Sequence, residues 1–255
     1  MRLGKIKRRD GKQTSSQKSY AGYAELVEFD AALLKYNTHL VKKMIRLSRY
    51  EPGKTVLDFG AGIGSLADLW VLYAGIKPEC IEIDGACQRA LRSKEYVVYP
   101  DLFCAPDKYN VIYSSNVLEH IEDDLGAILS FKQAMQESSI VLAYVPAIQF
   151  LYSDLDRKVG HYRRYSKRDL TAKFTVNGFE IISCHYVDCI GVIVSLLIKL
   201  FGWRGSLNIG SRRSVKFYDT YIFPMSSFLD WVGFKMIGGK NLFLVARIDR
   251  ESLHK

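Results

Sequence analysis

The chain has 255 residues, 48% of them hydrophobic, which excludes a disordered protein and suits one α/β domain with an elaboration. Its 36 Lys and Arg against 27 Asp and Glu give a net charge of +9, which favours anionic partners: nucleic acid, acidic lipid headgroups or phosphorylated substrates. Five cysteines (Cys80, Cys87, Cys104, Cys184 and Cys189) form no C-x-x-C pair, which argues against a zinc site and a disulfide framework and for a reducing, cytoplasmic compartment.

Residues 1–19 read as a flexible basic arm that holds Arg2, Lys5, Lys7, Arg8, Arg9, Lys12 and Lys18 and so much of the charge excess. No apolar stretch follows those cations, so the arm does not read as a secretory signal. From Asp30 to Arg49, Leu33, Leu34, Leu40, Val41, Met44, Ile45 and Leu47 recur at helical spacing, and Glu51-Pro52-Gly53 breaks the helix. A strand over Thr55–Phe59 runs into glycines, and Ile63–Tyr73 reads as a helix. Strands at Glu79–Ile83, Tyr96–Tyr99, Val111–Ser114 and Ile140–Val145 alternate with helices at Gly85–Arg92, capped by Asp84, and at Asp123–Met135. Such alternation implies βαβ units and a mostly parallel sheet. Beyond Pro146 a polar, aromatic and basic loop spans Gln149–Tyr165. A helix over Lys167–Asn177, a strand over Phe179–Val187, an apolar run over Cys189–Phe201 and a last strand over Leu242–Ile248 follow. The two late strands predict an edge hairpin.

VLDFGAGIG (Val56 to Gly64) places Gly60, Gly62 and Gly64 directly after a strand and before a helix, where glycine permits a sharp turn and close approach of a ligand. Glu82 comes 18 residues after Gly64, at the end of the second strand, where a carboxylate accepts hydrogen bonds from both ribose hydroxyls of an adenosine. Asp84 competes for that role two residues later and reads better as a helix cap. Asp58, at the end of a buried strand, could meet a cationic group such as the amino group of a methionine moiety. Asp101, in PDLF, could accept a bond from an adenine amino group or be an ordinary turn aspartate. The third glycine comes one residue too soon for a dinucleotide loop, and the P-loop lysine is absent.

VLDFGAGIG, IEID, PDL and SSNVLEHIEDD together resemble the class I S-adenosylmethionine-dependent methyltransferases in order and spacing. NVLEHIEDD, VPA and GHYRRYS are similar to a bacterial subfamily often found alone or fused to glycosyltransferases, and the match runs from about Tyr23 to Ile248. The resemblance implies S-adenosyl-L-methionine as cofactor. It implies a Rossmann-like, seven-stranded, mostly parallel α/β sheet with helices on both faces and a C-terminal apolar lid or insertion. Residues 20–255 then form a single methyltransferase domain, with a cofactor half over about 50–146 and an acceptor-side loop and lid over about 147–240. One departure is Gln136-Glu137-Ser138-Ser139 where the family has a Pro-Gly-Gly-type turn.

Methyl transfer needs an aligned nucleophile, exclusion of water and, for a hydroxyl or amine, a proton acceptor. Ser114, Ser115, Asn116, Glu119 and His120 follow the fourth strand and should line the site, with Ser115 and Asn116 on the cofactor. His120 is one candidate base, or else packs under the cofactor and holds the loop. His161, within LYSDLDRKVGHYRRYS, is the second candidate. In that loop Tyr152, Arg163, Arg164 and Tyr165 could bind the acceptor, the arginines clamping phosphate or carboxylate; alternatively, Asp154 and Asp156 pair with Arg163 and Arg164. Some related quinone O-methyltransferases bind a divalent metal through Glu-x-x-Glu-His here; Asn116 replaces the first glutamate, so no metal is expected.

The expected acceptor is a small molecule, a glycan or a lipid-linked compound, methylated on oxygen rather than nitrogen. CIGVIVSLLIKLFGW (Cys189 to Trp203) is too short to span a bilayer. It reads as a buried lid or as an interfacial segment, with Trp203, Arg204, Arg212, Arg213 and Lys216 suited to an anionic membrane surface on the inner face. A nucleic-acid methyltransferase is the alternative that the charge suggests. Against it, the chain has no Asn/Asp-Pro-Pro-Tyr/Phe run and no Pro-Cys nucleophile. A non-catalytic, cofactor-binding scaffold is the remaining alternative.

Overall fold

The computed structural model describes residues 32–105, 108–201 and 212–248. The basic arm 1–19, Trp203 and Arg204 lie outside the described residues. Seven strands form one sheet: β1 (Val56–Phe59), β2 (Glu79–Ile81), β3 (Val98–Tyr99), β4 (Tyr109–Ser115), β5 (Met135–Pro146), β6 (Phe179–Val187) and β7 (Asn241–Ile248). Their spatial order is β3-β2-β1-β4-β5-β7-β6, with every pairing parallel except the two made by β7. This is the expected Rossmann-like α/β sheet. The order reverses between β1 and β4, and the crevice above their carboxyl ends is where ligands bind in open sheets of this kind.

Helices cover both faces because the central strands are apolar on both sides. On one face lie α1 (Leu34–Ser48) and α2 (Ser65–Ala74), whose Leu40, Val41, Met44 and Trp70 pack on Val111, Tyr113 and Leu142. α3 (Gly85–Ser93) adds Leu91 beside Ala67 and Cys80. On the other face α4 (Asp124–Ala134) and α6 (Lys167–Val176) bury Ile128, Phe131, Leu170 and Phe174 against Leu57, Ile112 and Val141.

Two elements depart from expectation. The loop 149–165 contains a helix, α5 (Asp154–Val159), opened by a capping box between Ser153 and Asp156 and closed by Gly160 at φ 85°. Gln136–Ser139 is the irregular start of β5: Ser138 sits at φ 63°, and the Ser139 hydroxyl donates to the Tyr109 carbonyl at 2.8 Å. β6 and β7 pair antiparallel as expected of a hairpin, but residues 188–240 intervene.

That insertion holds α7 (Cys189–Phe201), α8 (Arg212–Phe217), a π turn (Tyr218–Ile222) and α9 (Phe223–Val232). α7 turns Gly191 and Ser195 inward but leaves Ile193, Leu197 and Leu200 exposed, so it is not a lid buried on all sides. Among the described residues no helix is long and apolar enough to cross a membrane.

Candidate active site

β1 delivers Asp58 and then the glycine loop to the crevice. Gly60, Gly62 and Gly64 have φ of 81°, 56° and 87°, a region that L side chains avoid. The reason for glycine differs from position to position. A Cβ on Gly60 would collide with the Val117 side chain, and one on Gly64 would come within 2.8 Å of Leu91 Cδ2. These two glycines therefore serve packing of the loop as well as its turn. The Gly60–Val117 contact seats the segment after β4 on the glycine loop.

Glu82 follows β2 and is nearly buried. Its Oε2 accepts the Gly62 N–H at 2.7 Å and its Oε1 accepts the Asp84 N–H at 2.8 Å. Burial raises the carboxyl above its usual range, against the pull of those N–H bonds. Each oxygen keeps a further lone pair, which suits two neighbouring hydroxyls. Asp84 caps α3 through the Ala86 and Cys87 N–H groups. Asp58 is buried and accepts the Tyr113 hydroxyl at 2.8 Å, while Tyr113 stacks on Trp70. Asp101 accepts the Cys104 N–H at 2.9 Å and caps a short 3-10 turn, the plainer of its two expected roles. Asn116 sits at φ 54°, with its amide lying 3.4 Å from the Ser115 hydroxyl.

The turn Leu118–His120 places Glu119 and His120 above β4, and the segment after α5 brings His161 to them. The two imidazoles pack edge to face, 4.6 Å between centroids. Burial, with His161 adding to it, pushes His120 down to about 4, so it is a neutral ring and a poor base. His161 differs: its Nδ1 lies 2.8 Å from Asp156 Oδ1. A carboxylate only accepts, so Nδ1 carries the proton and Nε2 is left as the acceptor. Although burial opposes it, hydrogen bonds from His161 and Arg164 hold the Asp156 carboxyl below its usual range. Glu119 is fully buried, and neither carboxylate oxygen meets a hydrogen-bond donor among the described residues. Its Oε1 lies 3.9 Å from His161 Nε2, and burial pushes its carboxyl up to about 8. One ligand atom each from Glu119, His120 and His161 lies within 4.8 Å of the others, a set able to hold one cation.

The acceptor-binding candidates find other partners. Tyr165 is completely buried and donates to Asp124 Oδ2, so it cannot reach an acceptor. Arg163 pairs with Asp124 at 2.9 Å and donates to the Glu122 carbonyl. Arg164 grips Asp156 through two bonds of 2.8 and 3.1 Å. Tyr152 donates its hydroxyl to the His161 carbonyl at 2.6 Å. The Asp156–Arg164 pair is thus the expected self-contained arrangement, whereas Asp154 pairs with Arg157 and Arg163 with Asp124. These residues build the loop that presents His161. Asp156 was legible only as a possible arginine partner; the signal for its second role is its place five residues before His161 in a capped helix.

The fold has relatives among solved structures. A chain of the complex containing the Haloferax volcanii Trm112 methyltransferase activator superposes with a TM-score of 0.62 at 12% identity, over 91% of this chain and 98% of that one. A SAM-dependent methyltransferase from Archaeoglobus fulgidus gives 0.55 at 17% identity, over 83% and 94%. The glycopeptide N-methyltransferase MtfA, complexed with sinefungin, gives 0.52 at 12% identity, over 83% and 86%. No curated protein sequence matches the chain. A family model described as a methyltransferase domain matches residues 31–184, more than half the chain and all of its glycine loop, Glu82, Glu119, His120 and His161, and the chain belongs to that methyltransferase family.

Proposed function

We propose that this methyltransferase uses S-adenosyl-L-methionine and methylates a hydroxyl of a small-molecule, glycan or lipid-linked acceptor. The cofactor assignment rests on Glu82, fixed by the Gly62 and Asp84 N–H groups at the mouth of a glycine loop with positive φ. Glu82 would hold the ribose hydroxyls. Asp58, Ser115 and Asn116 would face the methionine end, in a cofactor half over about 50–146. When bound, the cofactor supplies a methyl group already activated by its sulfonium charge.

The observation favouring oxygen is the Asp156–His161 dyad. A neutral amine can attack without prior loss of a proton, whereas a hydroxyl must give one up as it attacks. His161 Nε2 would take that proton, and Asp156 would stabilise the imidazolium through Nδ1. A similarly folded relative named as an N-methyltransferase makes nitrogen the second reading, and there the dyad would only orient the acceptor. The reading needs no metal, because the donor is already activated.

Titration calorimetry with S-adenosylmethionine tests the cofactor, and a labelled-methyl screen over glycans, lipid-linked sugars and small hydroxyl compounds tests transfer. Binding without transfer to any of them leaves the scaffold reading standing.

A further inference from the structure

The insertion between β6 and β7 is built inside out along one side. Phe217, Tyr221, Met225, Phe228 and Val232 recur every three or four residues through α8, the π turn and α9, and all five are exposed. The other side of α9 is the anchored one: Phe223, Ser226 and Asp230 are buried there. Beside the stripe, Trp231 is 78% exposed, and α7 adds exposed Ile193, Leu197 and Leu200 at helical spacing. A helix in a globular domain normally turns such a stripe to the core. Contiguous exposed apolar surface marks an interaction site.

Charge identifies the partner. Between Cys189 and Lys240 the chain has seven Lys and Arg and two acids, Asp219 and Asp230. Both acids are buried and already occupied: Asp219 accepts the Lys35 and Tyr36 N–H groups, and Asp230 accepts those of Asp188 and Cys189. The outward face of the described insertion is therefore apolar and cationic. A hollow of about 480 Å³ opens at its rim, lined by Phe228 and Trp231 together with Lys43, Arg46 and Lys235; Asp230 also lines it, its carboxylate holding the Asp188 and Cys189 N–H groups. None of these three cations makes an ion pair among the described residues. Burial pushes the Lys43 ammonium down to about 8 even with Asp230 nearby. An anion seated in the hollow would relieve that cost.

We infer that α7 to α9 form a docking surface for an anionic phospholipid bilayer. The apolar stripe enters the headgroup–acyl boundary, and the hollow at Lys43, Arg46 and Lys235 receives a lipid phosphate. Apolar contact and basic charge together supply the two signals that stable attachment at an interface requires. The hollow lies on α1, the insertion and β6, the edge strand four places from β1 and its glycine loop, so the inference stands whether or not the acceptor itself is lipid-linked.

The test is flotation of the full chain with vesicles of phosphatidylcholine alone and of phosphatidylcholine mixed with phosphatidylglycerol, at low and high salt. The expected result is partitioning stronger by about tenfold or more onto the anionic vesicles, lost at high salt. Phe228→Ser with Trp231→Ser should abolish it, and Lys43→Gln with Lys235→Gln should remove most of the preference for phosphatidylglycerol. Brominated acyl chains should quench a component of the tryptophan fluorescence that is missing in Trp231→Phe. Unchanged cofactor affinity in each variant shows that the fold persists. Equal binding to both vesicle types, or none, overturns the inference. So does self-association of the wild type that Trp231→Ser abolishes, because the stripe would then cover a second copy of the chain. Inorganic phosphate that protects the hollow while vesicles do not bind would assign it to a soluble phosphate and equally overturn the bilayer. None of these outcomes touches the transferase reading, which the calorimetry and the labelled-methyl screen decide separately.

Discussion

Glu82 is held by two backbone N–H groups on one side and must meet its ligand with what is left on the other. Glu82→Ala removes both acceptors and should weaken S-adenosylmethionine binding by about 1.5–3 kcal/mol, the range for hydrogen bonds to a charged group, read by calorimetry. Asp84→Ala should cost helix stability and leave affinity nearly unchanged, since its carboxylate caps α3. The histidines should separate in kinetics. Loss of His161 should lower kcat by about 10²–10⁴-fold with little change in donor affinity, the usual span for a general base. Asp156→Asn should reproduce much of that loss, because an amide can donate to Nδ1 and favour the wrong tautomer. His120 is buried, neutral and edge-on to His161, so His120→Ala should act through the position of the His161 ring. Gly60→Val should fail by clashing with Val117, and Gly60→Ala should recover cofactor affinity when combined with Val117→Ala; recovery would be incomplete, since φ 81° still strains an alanine.

At the scale of elements, the alternating half was readable because its strands carry short apolar runs, those of β1, β2, β3 and β5 closed by Gly60, Glu82, Pro100 and Pro146. Predicted and observed ranges differ only at their ends, as for Thr55–Phe59 against Val56–Phe59. α5 was hidden because its six residues are mostly charged and show no apolar stripe; the signal was the Ser153 to Asp156 cap. The site was half legible for the same reason. Gly60, Gly62, Gly64 and Glu82 act through backbone and spacing, which sequence records. The Asp156–His161 dyad and the orphaned Glu119 carboxylate depend on where α5 docks, which spacing does not fix. α8 and α9 went unassigned because their apolar repeat does not face the core. That outward orientation has a stability consequence. Phe228→Ser and Trp231→Ser should each change the free energy of unfolding by less than about 0.5 kcal/mol, as surface substitutions do. Phe223→Ala on the buried side should cost about 3–5 kcal/mol. Urea denaturation measures both, and similar losses from the two sides would mean that the stripe is packed.

The stability of the whole molecule should depend on pH in a way traceable to the site. Glu119 keeps its proton up to about 8 in the fold, against 4.5 when exposed. Over that window the folded chain binds more protons, so this group's contribution is full below about 4.5 and is lost as pH rises through 8. Glu82, also raised by burial, acts in the same direction. His120 and His185 act oppositely: burial depresses them to about 4 and about 3 from 6.5, so their contribution is full above 6.5 and fades as pH falls. Between about 6.5 and 8 Glu119 titrates in the fold, while Lys43, pushed down to about 8 by burial, begins to offset it from the basic side. One proton limits the slope from Glu119 to about 1.4 kcal/mol per pH unit, and it halves by the titration point, so the Glu119 contribution should fall by at most about 2 kcal/mol over that span. Glu119→Gln keeps the shape without the titration and should flatten the profile. Chelation separates this from a metal site. A cation held by Glu119, His120 and His161 would keep the carboxylate ionised, and the slope would be absent until the cation was stripped. With no metal present, denaturation profiles with and without EDTA should coincide, and methyl transfer should survive EDTA at full rate. A slope that emerges only after chelation, with activity restored by an added divalent ion, would reassign the cluster to a metal.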